Sequence, residues 1–129
     1  MRVQIRIHTT AHSRRDLLFE LNRLVDLNRW IYRTRSLPPL YQAGVRYRRE
    51  TEDYMAAKPV EDWQAVDVLY KNGFGDCEDL AAARCAELRN ADVPATIRLT
   101  RRGRIWHVTV RTPAGVEDPS RKLGMKGAA

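Results

Sequence analysis

Residues 73–89 read GFGDCEDLAAARCAELR, and this stretch decides the fold. Alanine, leucine, glutamate and arginine favour a helix, predicted from about Cys77 to Asn90, and the glycines of Gly73-Phe74-Gly75-Asp76 suggest a flexible approach to it. Cys77 falls in the first turn. Ala81, Cys85 and Leu88 share its face, so the helix is expected to be central, although Arg84 also lands there and breaks the pattern. A thiol reacts as its thiolate, and the unpaired amides and macrodipole at a helix N-terminus favour that form. The same amides, approached through glycines, can help to hold an oxyanion. Asp76, Glu78 and Asp79 oppose thiol ionisation unless they turn away or are paired, and their simplest role is to stabilise the helix start. Cys85 is read as an inert core thiol.

Downstream the pattern changes to alternation. Ala95–Thr100 and Arg104–Arg111 are expected to form antiparallel strands joined across Arg101-Arg102-Gly103. Thr112-Pro113-Ala114-Gly115 is a second turn, Val116–Asp118 begins a third strand, and a polar, glycine-containing tail follows. Of three histidines, only His107 lies in a convincing strand, IWHVTV. There His107 and Thr109 share one face, and Trp106, Val108 and Val110 the other. With the turn centred on Pro113 and Ala114, Asp118 falls diagonally opposite His107, roughly 7 to 8 Å away between α-carbons. The expectation is therefore a nucleophile, Cys77, a base, His107, and an orienting acid, Asp118.

Upstream, a second helical pattern begins near Glu61, with Trp63, Val66, Leu69 and Tyr70 on its buried side, and it stops at Asn72-Gly73. Lys58-Pro59 separates it from Tyr41–Glu50, where GVRYRRE suggests a short strand. Ser36-Leu37-Pro38-Pro39 ends a long first helix. That helix opens at Ser13 as N-cap and carries one apolar stripe: Leu17, Leu18, Leu21, Leu24, Val25, Asn28 and Ile31. Residues 3–7, VQIRI, alternate as a strand does.

The chain has 129 residues, which fits one domain. Its parts are an N-terminal strand and helix (1–36), a core (37–125) and a frayed tail (126–129). Hydrophobic residues make up 43% and charged residues 30%, a globular composition, and no apolar run approaches the roughly 18 residues of a membrane span. The alternating N-terminus lacks the apolar run of a secretory signal. Two cysteines about 12 Å apart along one helix cannot form an unstrained disulfide, so a reducing, cytoplasmic setting is expected. Cys77, Cys85 and His107 lack the paired short spacings of zinc ligands, so neither metal nor cofactor is expected. The net charge of +7 comes mostly from arginine and would draw the protein to acidic partners or nucleic acid. Arg29, Trp30, Tyr32, Arg33 and Arg35 interleave aromatics with cations, as a stacking surface does. The simpler reading puts Trp30 or Ile31 in the core and the arginines in solvent, so nucleic acid is not the expected partner.

The run GFGDCEDLAAARCAELR, then WHVTV, then VEDPS resembles the three signature blocks of the transglutaminase-like superfamily, over about Tyr41 to Met125. The resemblance implies an α+β, papain-like core in which a central helix carrying Cys77 packs on a small antiparallel sheet carrying His107 and Asp118. It also implies cysteine acyl transfer on amide bonds through those three residues, as peptidase, amidase or crosslinking transamidase, with a protein or peptide substrate. Catalytically dead members exist, so a binding or assembly scaffold is the alternative. Relatives place a tryptophan or glutamine side chain at the oxyanion hole, and Gln42, Trp63 and Gln64 are the candidates. YQAGVRYRRE, GDCEDLAA and DPSRKLGM together resemble small transglutaminase-like proteins of tailed bacteriophages, which would put the protein in host cytoplasm or a virion, with a virion component as a further partner.

Overall fold

Ser13 opens the longest element: its hydroxyl accepts the Asp16 amide at 3.1 Å and starts helix α1, Arg14–Arg35. The computed structural model describes residues 4–8, 13–49, 60–103 and 105–126. Ser36, in the left-handed region at φ 50°, ends α1 before Pro38-Pro39. Leu17, Leu21, Leu24, Val25, Asn28 and Ile31 are buried along it, whereas Trp30 is 43% exposed. A 3-10 turn follows at Leu40–Gln42.

Strand β1, Gln4–His8, pairs antiparallel with a strand from the middle of the sequence, Val60–Gln64. With Arg46–Tyr47 as β2, that segment is β3, and it corrects the helix expected from Glu61. Trp63 is buried as expected, but from a strand. Pairing with β1 satisfies the backbone here, and this long-range partner overrides the local pattern. The helix, α2, spans only Val66–Asn72 and ends at Gly73, whose φ of 81° suits glycine and whose amide bonds the Leu69 carbonyl at 2.9 Å.

The glycine-rich approach is not a loose lead-in. Phe74–Gly75 forms β4, parallel to β2, and Arg48 donates its amide to the Gly75 carbonyl at 2.8 Å. Helix α3, Cys77–Asn90, follows over the expected range. Leu80, Ala81, Ala82, Ala83, Cys85 and Ala86 are buried within it, and it packs against both α1 and the third sheet. Asn90 and Arg89 tie its C-terminal end to Arg29 and Asn22 of α1.

The third sheet runs β5, Thr96–Arg102, then β6, Ile105–Thr112, then β7, Gly115–Glu117. Its turn at Pro113-Ala114 is the one expected, because Thr112 pairs with Gly115. β7 stops at Glu117, one residue earlier than expected. Asp118 is instead the N-cap of a short helix, α4, Pro119–Lys122, where a polar tail was expected. Among the described residues the result is a mixed α and β fold with three small sheets. The break expected at Lys58-Pro59 and residues 127–129 of the tail lie outside the described residues. Among the described residues, no helix is long and apolar enough to cross a membrane.

Candidate active site

Two aspartates fix the start of α3. The Asp79 amide donates to Asp76 Oδ1 and the Asp76 amide to Asp79 Oδ2, both at 3.3 Å, a reciprocal capping box. Asp79 is buried, and its Oδ1 accepts the Gln64 amide at 2.7 Å while Oδ2 accepts Gln64 Nε2 at 3.1 Å. Burial and the charge of Asp76 push the Asp79 carboxyl well above its usual range, against the pull of the Gln64 and Asp76 donors.

Cys77, the first residue of α3, keeps some solvent exposure. Its Sγ–H donates to Glu78 Oε2 at 3.5 Å, and the Val108 backbone amide of β6 points at the sulfur. Burial, then the charges of Glu78 and Asp76, raise the thiol well above its ordinary value, with the Val108 amide pulling the other way. These influences favour the thiol over the thiolate. The carboxylates oppose ionisation, as expected, while Asp76 and Asp79 also do the capping work.

His107 precedes that amide. Its Nε2 lies 2.8 Å from Asp118 Oδ2, with side chains 30% and 22% exposed. An ionised Asp118 makes Nε2 the protonated nitrogen and leaves Nδ1 as the acceptor. Asp118 Oδ1 accepts the Arg121 amide at 3.3 Å, so one carboxylate caps α4 and orients the imidazole. β7 pairs with β6 only from Val110 onward, and Val108 lies beyond the end of that pairing, where the Cys77 sulfur meets its amide. The fold therefore brings His107 and Asp118 into contact and sets Cys77 against the same strand. No hydrogen bond joins Cys77 Sγ to the imidazole in this structure.

The three oxyanion candidates fare differently. Both amide hydrogens of Gln64 are engaged, one by the Phe74 carbonyl at 2.9 Å and one by Asp79, and its Oε1 accepts Asn72 Nδ2 at 2.6 Å. Trp63 is fully buried. Gln42 is exposed on the 3-10 turn, and no side-chain hydrogen bond links it to Cys77, His107 or Asp118. Two backbone donors lie near the sulfur, the Cys77 amide at the helix start and the Val108 amide of β6.

Two groups escaped sequence reasoning. Tyr47, half-buried on β2, pairs with Gly75, two residues before Cys77; burial raises its phenol, and negative charge on Cys77, Asp76 or Glu78 adds to that against Arg49. No sequence signal marks a two-residue parallel pairing. Arg84 did leave a signal, since a cation on an otherwise buried face requires a partner. That partner is Glu117, which accepts from Arg84 Nε through Oε2 and from Nη2 through Oε1 at 3.3 Å. Among the described residues, no group of three or more histidine, cysteine, aspartate or glutamate side chains is placed to hold a metal ion. No protein-family model, no curated protein and no solved structure matches the chain.

Proposed function

We propose that the protein is a cysteine-dependent acyl-transfer enzyme acting on amide bonds, with a papain-like core of the transglutaminase-like type. The observation that carries this reading is the 2.8 Å contact of His107 Nε2 with Asp118, on the strand whose next amide meets the Cys77 sulfur. Further support comes from the order of the parts: a thiol at the tip of a central helix, then an imidazole on an antiparallel sheet, then an acid at the sheet's end.

Because its setting favours the thiol over the thiolate, Cys77 needs His107 as a general base during attack. Nδ1 takes the Sγ proton as sulfur bonds to the amide carbon, and Asp118 holds the imidazolium through Nε2–H. The oxyanion is met by the Cys77 amide. The tetrahedral adduct collapses as His107 returns the proton to the leaving nitrogen, which gives a thioester and free amine or ammonia. Water then makes the enzyme a hydrolase, and a lysine amine makes it a crosslinker. The substrate is a protein or peptide amide, including a glutamine side chain.

The competing reading, a non-catalytic scaffold on the same fold, is favoured by the setting of Cys77: burial, then the carboxylates of Glu78 and Asp76, push its thiol up and oppose the thiolate. Iodoacetamide labelling of Cys77 across pH, together with ammonia release from glutamine peptides with and without an added primary amine, separates the two. The enzyme reading expects His107→Ala to slow labelling near neutral pH by about 10-fold or more and to abolish ammonia release. Labelling no faster than that of a free thiol and indifferent to His107→Ala would leave the scaffold.

A further inference from the structure

Arg84 lies seven residues, about two turns, beyond Cys77 on the same helix. Its guanidinium grips both oxygens of Glu117, the residue immediately before Asp118. Both side chains are mostly withdrawn from solvent, 19% and 18% exposed. The grip is itself braced. Tyr41 Oη donates to Glu117 Oε2 at 2.6 Å, and its ring lies 4.7 Å beneath the guanidinium. Glu87 holds Arg84 Nη1 at 3.2 Å and accepts the Leu40 amide at 3.1 Å. Lys122, at the end of the helix that Asp118 caps, sits over the other part of this cluster, 4.8 Å from the Tyr41 ring. Asp118 is thus held from both sides, by Glu117 before it and by α4 after it.

We propose that Arg84 is a positioning residue for the Cys77-His107-Asp118 group, setting the Asp118 carboxylate against His107 by clamping Glu117 to the helix that carries the nucleophile. This rests on the acyl-transfer reading for its purpose, but the geometry it predicts can be measured without any substrate. A bidentate guanidinium–carboxylate pair fixes angle as well as distance, which a lysine at the same place cannot do. With Glu117 fixed, the next residue has little freedom, so Asp118 Oδ2 stays on Nε2 and the imidazole keeps the tautomer that leaves Nδ1 as base. Without the clamp, Asp118 keeps its contact with His107 and its cap on the Arg121 amide, but the Arg121 guanidinium, 3.8 Å from Oδ2 and 52% exposed, then competes with the imidazole for a carboxylate no longer held in place from Glu117.

The test is nitrogen NMR of the His107 ring, with Cys77 labelling rates across pH, on the full chain as wild type, Arg84→Met, Arg84→Lys and Glu117→Gln. Expected are one Nε2–H tautomer in wild type, a mixed population in each variant at temperatures where it is folded, and labelling near neutral pH slowed about 10-fold with its pH profile displaced. Arg84→Lys keeps the charge and is expected to restore stability more fully than tautomer purity. A merely structural ion pair would lower the melting temperature and leave the folded tautomer and the labelling profile unchanged, and that result in any folded variant overturns the proposal. If Arg84→Met does not fold, Arg84→Lys and Glu117→Gln decide. Wild-type labelling that ignores His107→Ala defeats the acyl-transfer reading alone, because the tautomer still reports whether Arg84 positions Asp118.

Discussion

Gly75 has no room for a methyl group: a Cβ there would lie 2.6 Å from Leu69 Cδ1 and 3.0 Å from both Cβ and Oδ2 of Asp79. Leu69 belongs to the core, and Asp79 locks the first turn of α3, so neither neighbour yields freely. Gly75→Ala is expected to cost about 1–3 kcal/mol in urea unfolding, with Cys77 alkylation altered because the capping aspartate moves. At this scale the sequence was informative about identity and silent about partners. The acids around Cys77 could be read as helix-start residues from their spacing alone. That Asp79 also receives two donors from Gln64 could not, because the strand that delivers Gln64 is paired with residues near the start of the chain. Arg84 stood out as an anomaly, and its solution lay 33 residues away in Glu117.

Among the elements, α2 shows how a helix start can be completed from elsewhere. Its N-cap, Ala65, has no side-chain acceptor, and Asn28 of α1 supplies one: Oδ1 accepts the Val66 amide at 2.8 Å. A polar residue in the apolar stripe of α1 is thereby explained. Asn28→Ala leaves that buried amide unpaired and is expected to cost about 1–3 kcal/mol in denaturant unfolding, with the earliest loss of amide-exchange protection in α2. The stripe of α1 and the boundaries of α3 were legible because periodicity and caps are local. β3 was misread as helix because five residues carry little periodicity, and only pairing with β1 decides their state. α4 was missed although Asp118-Pro119 is a sound start signal, an aspartate N-cap followed by proline at the first helical position. The expectation of a strand continuing through Asp118 hid it.

For the whole molecule, the two thiols make stability depend on alkaline pH. Cys85 is fully buried, 3.6 Å from the Ala95 carbonyl, and burial pushes it from an ordinary 9.0 up to about 11; Cys77 is raised as well. Each thiol holds its proton more tightly folded than unfolded. Between the two values the unfolded chain therefore binds fewer protons, and stability falls as pH rises. For Cys85 the gap from 9.0 to about 11 corresponds to about 3 kcal/mol, lost across that interval. Urea unfolding at intervals from pH 8 to 11 should show a shallower decline for Cys85→Ala than for wild type, whatever the offset between them at pH 8. The packing of α1 on α3 has a consequence during synthesis. The leucine face of α1 leaves the ribosome about 60 residues ahead of the helix that covers it, so at about 5–20 residues per second it stays naked for about 3–12 s, a window in which a nascent-chain chaperone has something greasy to hold.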